Sequence, residues 1–276
     1  MRLERHVGPA LLAAALAATA FVWATPFLWT LVASFRPEGA GNADMASLLP
    51  DLHPTLANFR NALESGSFGL YYVNTIIVVM GVLAVQCVTV SLAGYAFARL
   101  RFRGSTVLFL LILFTLVIPF EITMIPTFII MDKLGLQNTL AALILPALVT
   151  PLGVFLMRQF FVNLPREVEE AAQIDGCSRL GVLRHVALPL AVPALSTLAA
   201  LTFLTAWNEL LWPLIVISSE AKSTLPLGLT TFQGQHTQDL SAIMAGDVIT
   251  TVPVLLAFLL AQRTFIQSLT SSAVKG

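Results

Sequence analysis

Long apolar runs alternate with short polar segments along this chain, over a repeat far longer than that of an amphipathic helix or strand. A helix rises about 1.5 Å per residue, so about 20 apolar residues cross the hydrocarbon of a bilayer. Six runs are long enough: residues 11–31, 72–94, 107–129, 140–160, 192–217 and 242–261. They predict an all-α membrane protein with six transmembrane helices. The first run has features of a secretory signal, with Arg2 and Arg5 before it and Ala18, Thr19 and Ala20 as a small-residue site. Apolar character continues through Leu28, Leu31 and Val32, so an uncleaved span is expected.

The polar segments divide the chain further. Residues 1–35 form an N-terminal segment and first helix, 36–71 an external loop, 72–263 a five-helix core, and 264–276 a C-terminal tail. Within the core, 163–190 is a charged loop and 218–241 an external one. Proline, glycine, serine and threonine punctuate both external segments, which predicts ordered loops or short surface helices.

Composition agrees with the pattern. Hydrophobic residues are 57% of the chain, charged residues 11%, and mean hydropathy is +0.84. Fifteen basic residues balance fifteen acidic ones, so charge suggests neither nucleic-acid binding nor attachment to anionic lipid. Lysine and arginine are unevenly placed: with both termini inside, all but Arg36, Arg60, Lys133 and Lys222 fall on the cytoplasmic side. The two cysteines, Cys87 in an apolar run and Cys177 in the charged loop, imply no disulfide framework.

The charged loop, assigned to the cytoplasm, has internal order. Pro165 suits the first turn of a helix, and Glu167, Glu169 and Glu170 favour a helix N-terminus. Gly176 suits a C-cap, Ser178 an N-cap for a second short helix toward Val186, and Pro189 the next boundary. The first helix is expected to run about 11 residues, roughly 16 Å, as one rigid projection.

Within it, "EAAQIDGCSRLGVLRHVALP" resembles the EAA loop of ATP-binding-cassette importer permeases. Glu170, Ala171, Ala172, Gly176, Leu188 and Pro189 are in register, and Val186 stands where that family usually has isoleucine. "YAFARLRFRG", "LGLQNTLAALILP", "AWNELLWPL" and "LTSSAVKG" are similar to the carbohydrate-type, maltose-permease relatives. The resemblance implies a type I importer permease architecture in a bacterial or archaeal cytoplasmic membrane. It implies a second permease subunit, two ATPase subunits holding ATP and magnesium, an external solute-binding protein and a sugar substrate. No cofactor is expected on this chain itself. The EAA loop would be the coupling helix that docks in an ATPase cleft. There Ala171 and Ala172 permit close approach, and Glu167, Glu169, Glu170 and Asp175 pair with cationic groups. The alternative is an ordinary amphipathic loop helix with solvated charges. The loop 218–240 and the terminal "SSAVKG" are further expected contacts, for the binding protein and the ATPases.

Enzyme motifs are absent. No G-x-x-x-x-G-K-[ST], G-x-S-x-G or H-E-x-x-H occurs, and His6, His53, His185 and His236 are scattered. Three acids nevertheless fall in the outer half of the expected spans: Glu121, Glu209 and Asp247. Thr202, Thr205, Glu209 and Trp212 would form one helical stripe, beside Asn208. Carboxylates and aromatic rings suit polyols, so these residues are candidates for the substrate pathway. The alternatives are packing against a partner permease or capping of helix ends. Glycerol phosphates and related polyol derivatives stay open as substrates. Ion-coupled transport or intramembrane catalysis through the three acids is the competing class, opposed by the EAA loop. Ala10, Ala14 and Ala18, and Gly94 with Ala98, permit close helix packing. Pro119, Pro126, Pro146, Pro151 and Pro213 are expected interruptions of spans.

Overall fold

The computed structural model describes residues 4–37, 53–65, 67–236 and 239–273, and no strand occurs among them. The helices are α1 (Glu4–Ser34), α2 (Ala57–Ser65), α3 (Phe68–Arg99), α4 (Ser105–Phe114), α5 (Phe120–Lys133), α6 (Leu140–Ile144) and α7 (Pro151–Asn163). There follow α8 (Arg166–Ile174), α9 (Arg179–Val182), α10 (Leu188–Leu190), α11 (Val192–Trp207), α12 (Leu211–Val216), α13 (Leu225–Gln235) and α14 (Leu240–Ala273). Residues 38–52 of the first external loop, 237 and 238 of the second, and 274–276 of the tail lie outside the described residues, as do Arg2 and Lys275.

Three expected spans are single helices, with Leu11–Ser34, Phe68–Arg99 and Leu240–Leu259 each long and apolar enough to cross a membrane. The other three are bent helix pairs. Ser105–Val117 and Phe120–Lys133 meet at 104°, and Leu140–Ala147 and Pro151–Asn163 at 45°. The fifth expected span, 192–217, ends its first helix at Trp207 and restarts as α12, while a 75° bend separates Arg179–Leu190 from Val192–Trp207. Proline explains the bends, because it lacks an N–H and disfavours helical geometry in the residue before it. Ile118, before Pro119, is extended at φ −88° and ψ 111°, and Thr150, before Pro151, at φ −110° and ψ 126°. Pro189 is not the boundary expected of it: it sits inside α10, and the turn comes at Ala191 before Pro193.

Contacts divide the chain into two compact units, Met1–Phe68 with Leu229–Val252, and Gly69–Gly228 with Pro253–Gly276. In the first, the Asn58 side-chain amide donates to the Ser34 and Arg36 carbonyls at 2.9 and 2.7 Å, fastening α2 to the end of α1. Phe68 meets Phe232 edge-on, with ring centroids 5.2 Å apart. Ala14 and Ala18 are exposed, so the small-residue face expected on α1 is not packed here.

The second unit has two apolar clusters. One gathers Val78, Val82, Met124, Leu143, Trp212 and Val216, and the other Val90, Tyr95, Val154, Met157, Phe161 and Leu198. The close packing expected at Gly94 is present: a Cβ there would lie 2.6 Å from Met157 Cβ and 2.9 Å from the Arg158 backbone nitrogen. Two carbonyls freed by prolines find side-chain donors on other helices. Pro146 and Pro151 have no N–H to offer the carbonyls four residues earlier, at Ala142 and Ala147. Trp212 Nε1 donates to Ala142 at 2.9 Å and Gln86 Nε2 to Ala147 at 2.6 Å. The bend between α6 and α7 is thereby satisfied inside the fold, as a membrane interior requires.

Candidate functional site

The charged loop folds as two helices around a glycine turn. Helix α8 runs nine residues rather than the expected 11, because Pro165 is its N-cap and Asp175 its C-cap. Gly176 takes φ +88°, the left-handed conformation that stops a helix and suits glycine. Ser178 caps α9, its hydroxyl accepting from Gly181 N–H at 3.1 Å. A π-helical turn, Leu183–Ala187, continues into α10. Leu183 and Ala187 are buried in the second cluster and Leu188 packs against it, so apolar contacts root the far end of the loop.

One expected residue changes role. Glu169 is buried and does not face solvent with Glu167, Glu170 and Asp175. Arg99 Nε donates to Glu169 Oε1 at 2.8 Å, with the two side chains 8% and 7% exposed. The Tyr95 hydroxyl donates to Glu169 Oε2 at 3.4 Å, and Arg99 Nη2 to the Leu164 carbonyl at 2.6 Å. Glu169 is therefore an internal anchor, unavailable to cations outside the chain. Glu170, Ala171, Asp175, Gly176 and Pro189 are exposed, while Ala172 and Leu188 are half-buried. Beside them, Arg99, Arg166, Glu169, Glu170, Gln173 and Arg179 help line a polar hollow of about 180 Å³. Arg99 was legible only as one more inward-side charge; nothing in its spacing foretold its partner.

A second cavity, of about 200 Å³, lies among α3, α5, α11 and α12. Gln86, Phe120, Thr205, Glu209, Trp212 and Thr224 contribute to its wall. The expected single stripe is corrected. The helix stops at Trp207, so Thr202 and Thr205 lie on one segment and Glu209 and Trp212 on either side of the next helix start. Thr202 is buried, its hydroxyl donating to Gln86 Oε1 at 2.8 Å. Asn208 caps α11, donating to the Leu204 carbonyl at 2.8 Å, and Glu209 caps α12 by accepting from Trp212 N–H at 3.1 Å. Capping, the alternative use for Glu209, is thus present, yet the residue is exposed and lines the cavity. Trp212 is only 3% exposed, so it is mainly a packing residue, whereas Phe120, set edge-on to it, is 37% exposed.

Glu121 occupies the first turn of α5, where a helix N-terminus favours a carboxylate. Its depth, counted along an unbroken helix, does not survive the 104° bend. Asp247 belongs to the other unit and accepts from Gln233 Nε2 at 3.2 Å. Thr224 went unnoticed in the sequence: it is 4% exposed, lines the cavity, and its hydroxyl has no hydrogen-bond partner.

The segment 218–225 is pinned from two directions. Asn138, at φ +55°, accepts on Oδ1 from Ser218 N–H, Ser219 N–H and the Ser219 hydroxyl at 3.2, 3.0 and 2.8 Å. From α3, Asn74 Nδ2 donates to the Ala221 and Ser223 carbonyls at 3.0 and 2.9 Å, and Tyr71 to Glu220 at 2.9 Å.

A multi-pass helical membrane protein with broken spans, a rigid polar loop helix and a small, mainly apolar cavity carrying a few polar groups has the parts of a transport permease. Residues 90–266 match the family described as binding-protein-dependent transport system inner membrane component, and the chain belongs to that family. It is the permease subunit of an ATP-binding-cassette importer, and hydrolysis of ATP belongs to a separate subunit. The chain is 40% identical over 259 residues to the arabinooligosaccharides transport system permease protein AraQ of Halalkalibacterium halodurans, covering 93% of each. It is 34% identical over 258 residues to the diacetylchitobiose uptake system permease protein DasC of Streptomyces coelicolor, covering 91% of each. Its fold matches a chain from a bacterial ABC transporter that imports the acidic polysaccharide alginate. That match has a TM-score of 0.82 at 24% identity and covers 95% of this chain and 98% of the other.

Proposed function

We propose that this subunit forms half of the pathway by which an oligosaccharide or a similar neutral carbohydrate is imported, with α8 as its coupling helix. The observation that carries the reading is α8 itself, held rigidly by one buried carboxylate while Glu170 and Ala171 face solvent beside the positive-φ turn at Gly176. In a membrane protein a projecting, anchored polar helix suits docking of a soluble subunit. The partners are a second permease, two ATPases carrying ATP and magnesium, and an external solute-binding protein, with both termini of this chain cytoplasmic. The pinned segment 218–225 is a surface offered to the binding protein.

The relatives AraQ and DasC are named for oligosaccharide uptake, which supports a carbohydrate cargo. The cavity supports the same class. Gln86, Thr205, Glu209 and Thr224 bring acceptors and hydroxyls, and Phe120 an apolar face. Its one charged lining residue, Glu209, is acidic, which disfavours a glycerol phosphate relative to a neutral sugar.

The test is co-expression with the neighbouring permease and ATPase subunits, purified through a tag on this chain. Wild type is expected to retain the ATPases, and Glu170→Ala with Gly176→Pro to lose them while keeping the permease pair. Equal ATPase recovery from both would remove the coupling assignment. Uptake of arabino-oligosaccharides into vesicles should then require ATP and withstand collapse of the proton gradient.

A further inference from the structure

We infer that Arg99 is a positioning residue that transmits movement of α8 into the wall of the cavity, an inference that rests on α8 being the ATPase-docking helix. Helix α8 has nine residues, too few to be stable alone, and Glu169 is its one buried side chain. Beyond packing on its sequence neighbours α9 and the π-helical turn, its grip on the rest of the unit is therefore polar and local. That grip is chiefly Arg99, which holds Glu169 at 2.8 Å with one nitrogen and the Leu164 carbonyl at 2.6 Å with another, assisted from the same helix by the Tyr95 hydroxyl, which donates to Glu169 Oε2 at 3.4 Å. A single guanidinium thus joins the end of α7, the start of α8 and the last residue of α3.

What lies at the other end of α3 makes the contact mechanical. Helix α3 is continuous from Phe68 to Arg99, without proline. Gly94 seats it directly on α7, where no Cβ would fit. Gln86, about 20 Å of helix from Arg99, lines the cavity. It also holds two other cavity elements, donating to the Ala147 carbonyl at 2.6 Å and accepting from the Thr202 hydroxyl at 2.8 Å. Pulling α8 away from Arg99 would strand a buried carboxylate and a buried guanidinium, so α3 follows α8 instead of releasing it. Movement imposed at the loop then reaches Gln86 and, through it, both walls that it grips.

The test needs no knowledge of the cargo. In the assembled complex, with Cys87 and Cys177 replaced by alanine, Ala206→Cys places a thiol in the cavity wall. Its labelling rate by a membrane-impermeant maleimide is measured with and without ATP plus vanadate, alongside vanadate trapping and recovery of the ATPase subunits. With Arg99 intact, trapping is expected to change the rate several-fold. With Arg99→Gln and Glu169→Gln together, which keep a neutral hydrogen-bonded pair, the ATPases are expected to stay bound and to trap vanadate, while the labelling rate no longer responds. Arg99→Lys, which keeps the charge but replaces the two-nitrogen planar fork with a single ammonium, should respond partially. A wild-type response in the assembled double variant overturns the inference. So does loss of the ATPases or of trapping, because Arg99 would then be a brace for docking. Failure of the coupling assignment itself reads differently, as ATPase recovery unaffected by Glu170→Ala with Gly176→Pro.

Discussion

Trp212 donates its indole N–H to the carbonyl of Ala142 at 2.9 Å, supplying the donor that Pro146 cannot. The pair ties α12 to α6 where the chain is bent, and it gives a partner to the indole N–H of a tryptophan that is 97% removed from solvent in the cavity wall. Trp212→Phe is expected to leave the carbonyl unpaired and lower stability by about 1–3 kcal/mol. Adding Pro146→Ala restores a backbone donor and should recover part of the loss. Unfolding of the four proteins in detergent measures the coupling, and strict additivity would show that the carbonyl is satisfied some other way.

The contact at Gly94 makes a second expectation. A methyl group there meets Met157 Cβ and the backbone of Arg158, neither of which is a flexible side-chain end. Gly94→Ala is expected to push α3 from α7 and cost about 1–3 kcal/mol. Gly69 has nothing within 4 Å of a built Cβ, so Gly69→Ala serves as the control and should be neutral or slightly stabilising. Thermal unfolding of both variants decides it.

At Gly176 the constraint is conformational. Nothing lies within 4 Å of a built Cβ, while φ is +88°. Gly176→Ala should therefore cost about 1–2 kcal/mol locally through backbone strain alone. Gly176→Asn should cost less, since asparagine tolerates this region better. Hydrogen exchange across α8 and α9 reads the difference, and equal protection in all three proteins would refute it.

Asn138 combines positive φ with three hydrogen bonds to Ser218 and Ser219. Asn138→Gly keeps the backbone and removes the acceptor, so limited proteolysis within 218–224 is expected to speed up several-fold. Asn138→Asp retains acceptor oxygens and should cleave at the wild-type rate. Faster cleavage in both would place the effect elsewhere.

The six spans, the membrane class and the turn at Gly176 were legible because they rest on local chemistry. Hydrocarbon thickness sets the length of an apolar run, and the missing Cβ of glycine sets where a helix can turn left-handed. Pro119, Pro146 and Pro151 likewise announced interruptions, though not the size of each bend, whereas Pro126 and Pro213 lie inside α5 and α12. Glu169 was misread as facing outward because a carboxylate in a polar loop is usually solvated, and its partner lies 70 positions earlier. The stripe through Thr202, Thr205, Glu209 and Trp212 failed for a related reason: helical spacing was extended across Asn208, where the helix ends.

The sequence by itself determined which segments prefer hydrocarbon, the helix stop at Gly176, and the motif that marks the family. Only the tertiary structure decided which buried polar groups meet: Arg99 with Glu169, Gln86 with Ala147, Trp212 with Ala142, and Thr224 with none. The physical reason is that hydrophobic transfer acts on each side chain where it stands, whereas a buried hydrogen bond exists only when packing brings a particular donor to a particular acceptor.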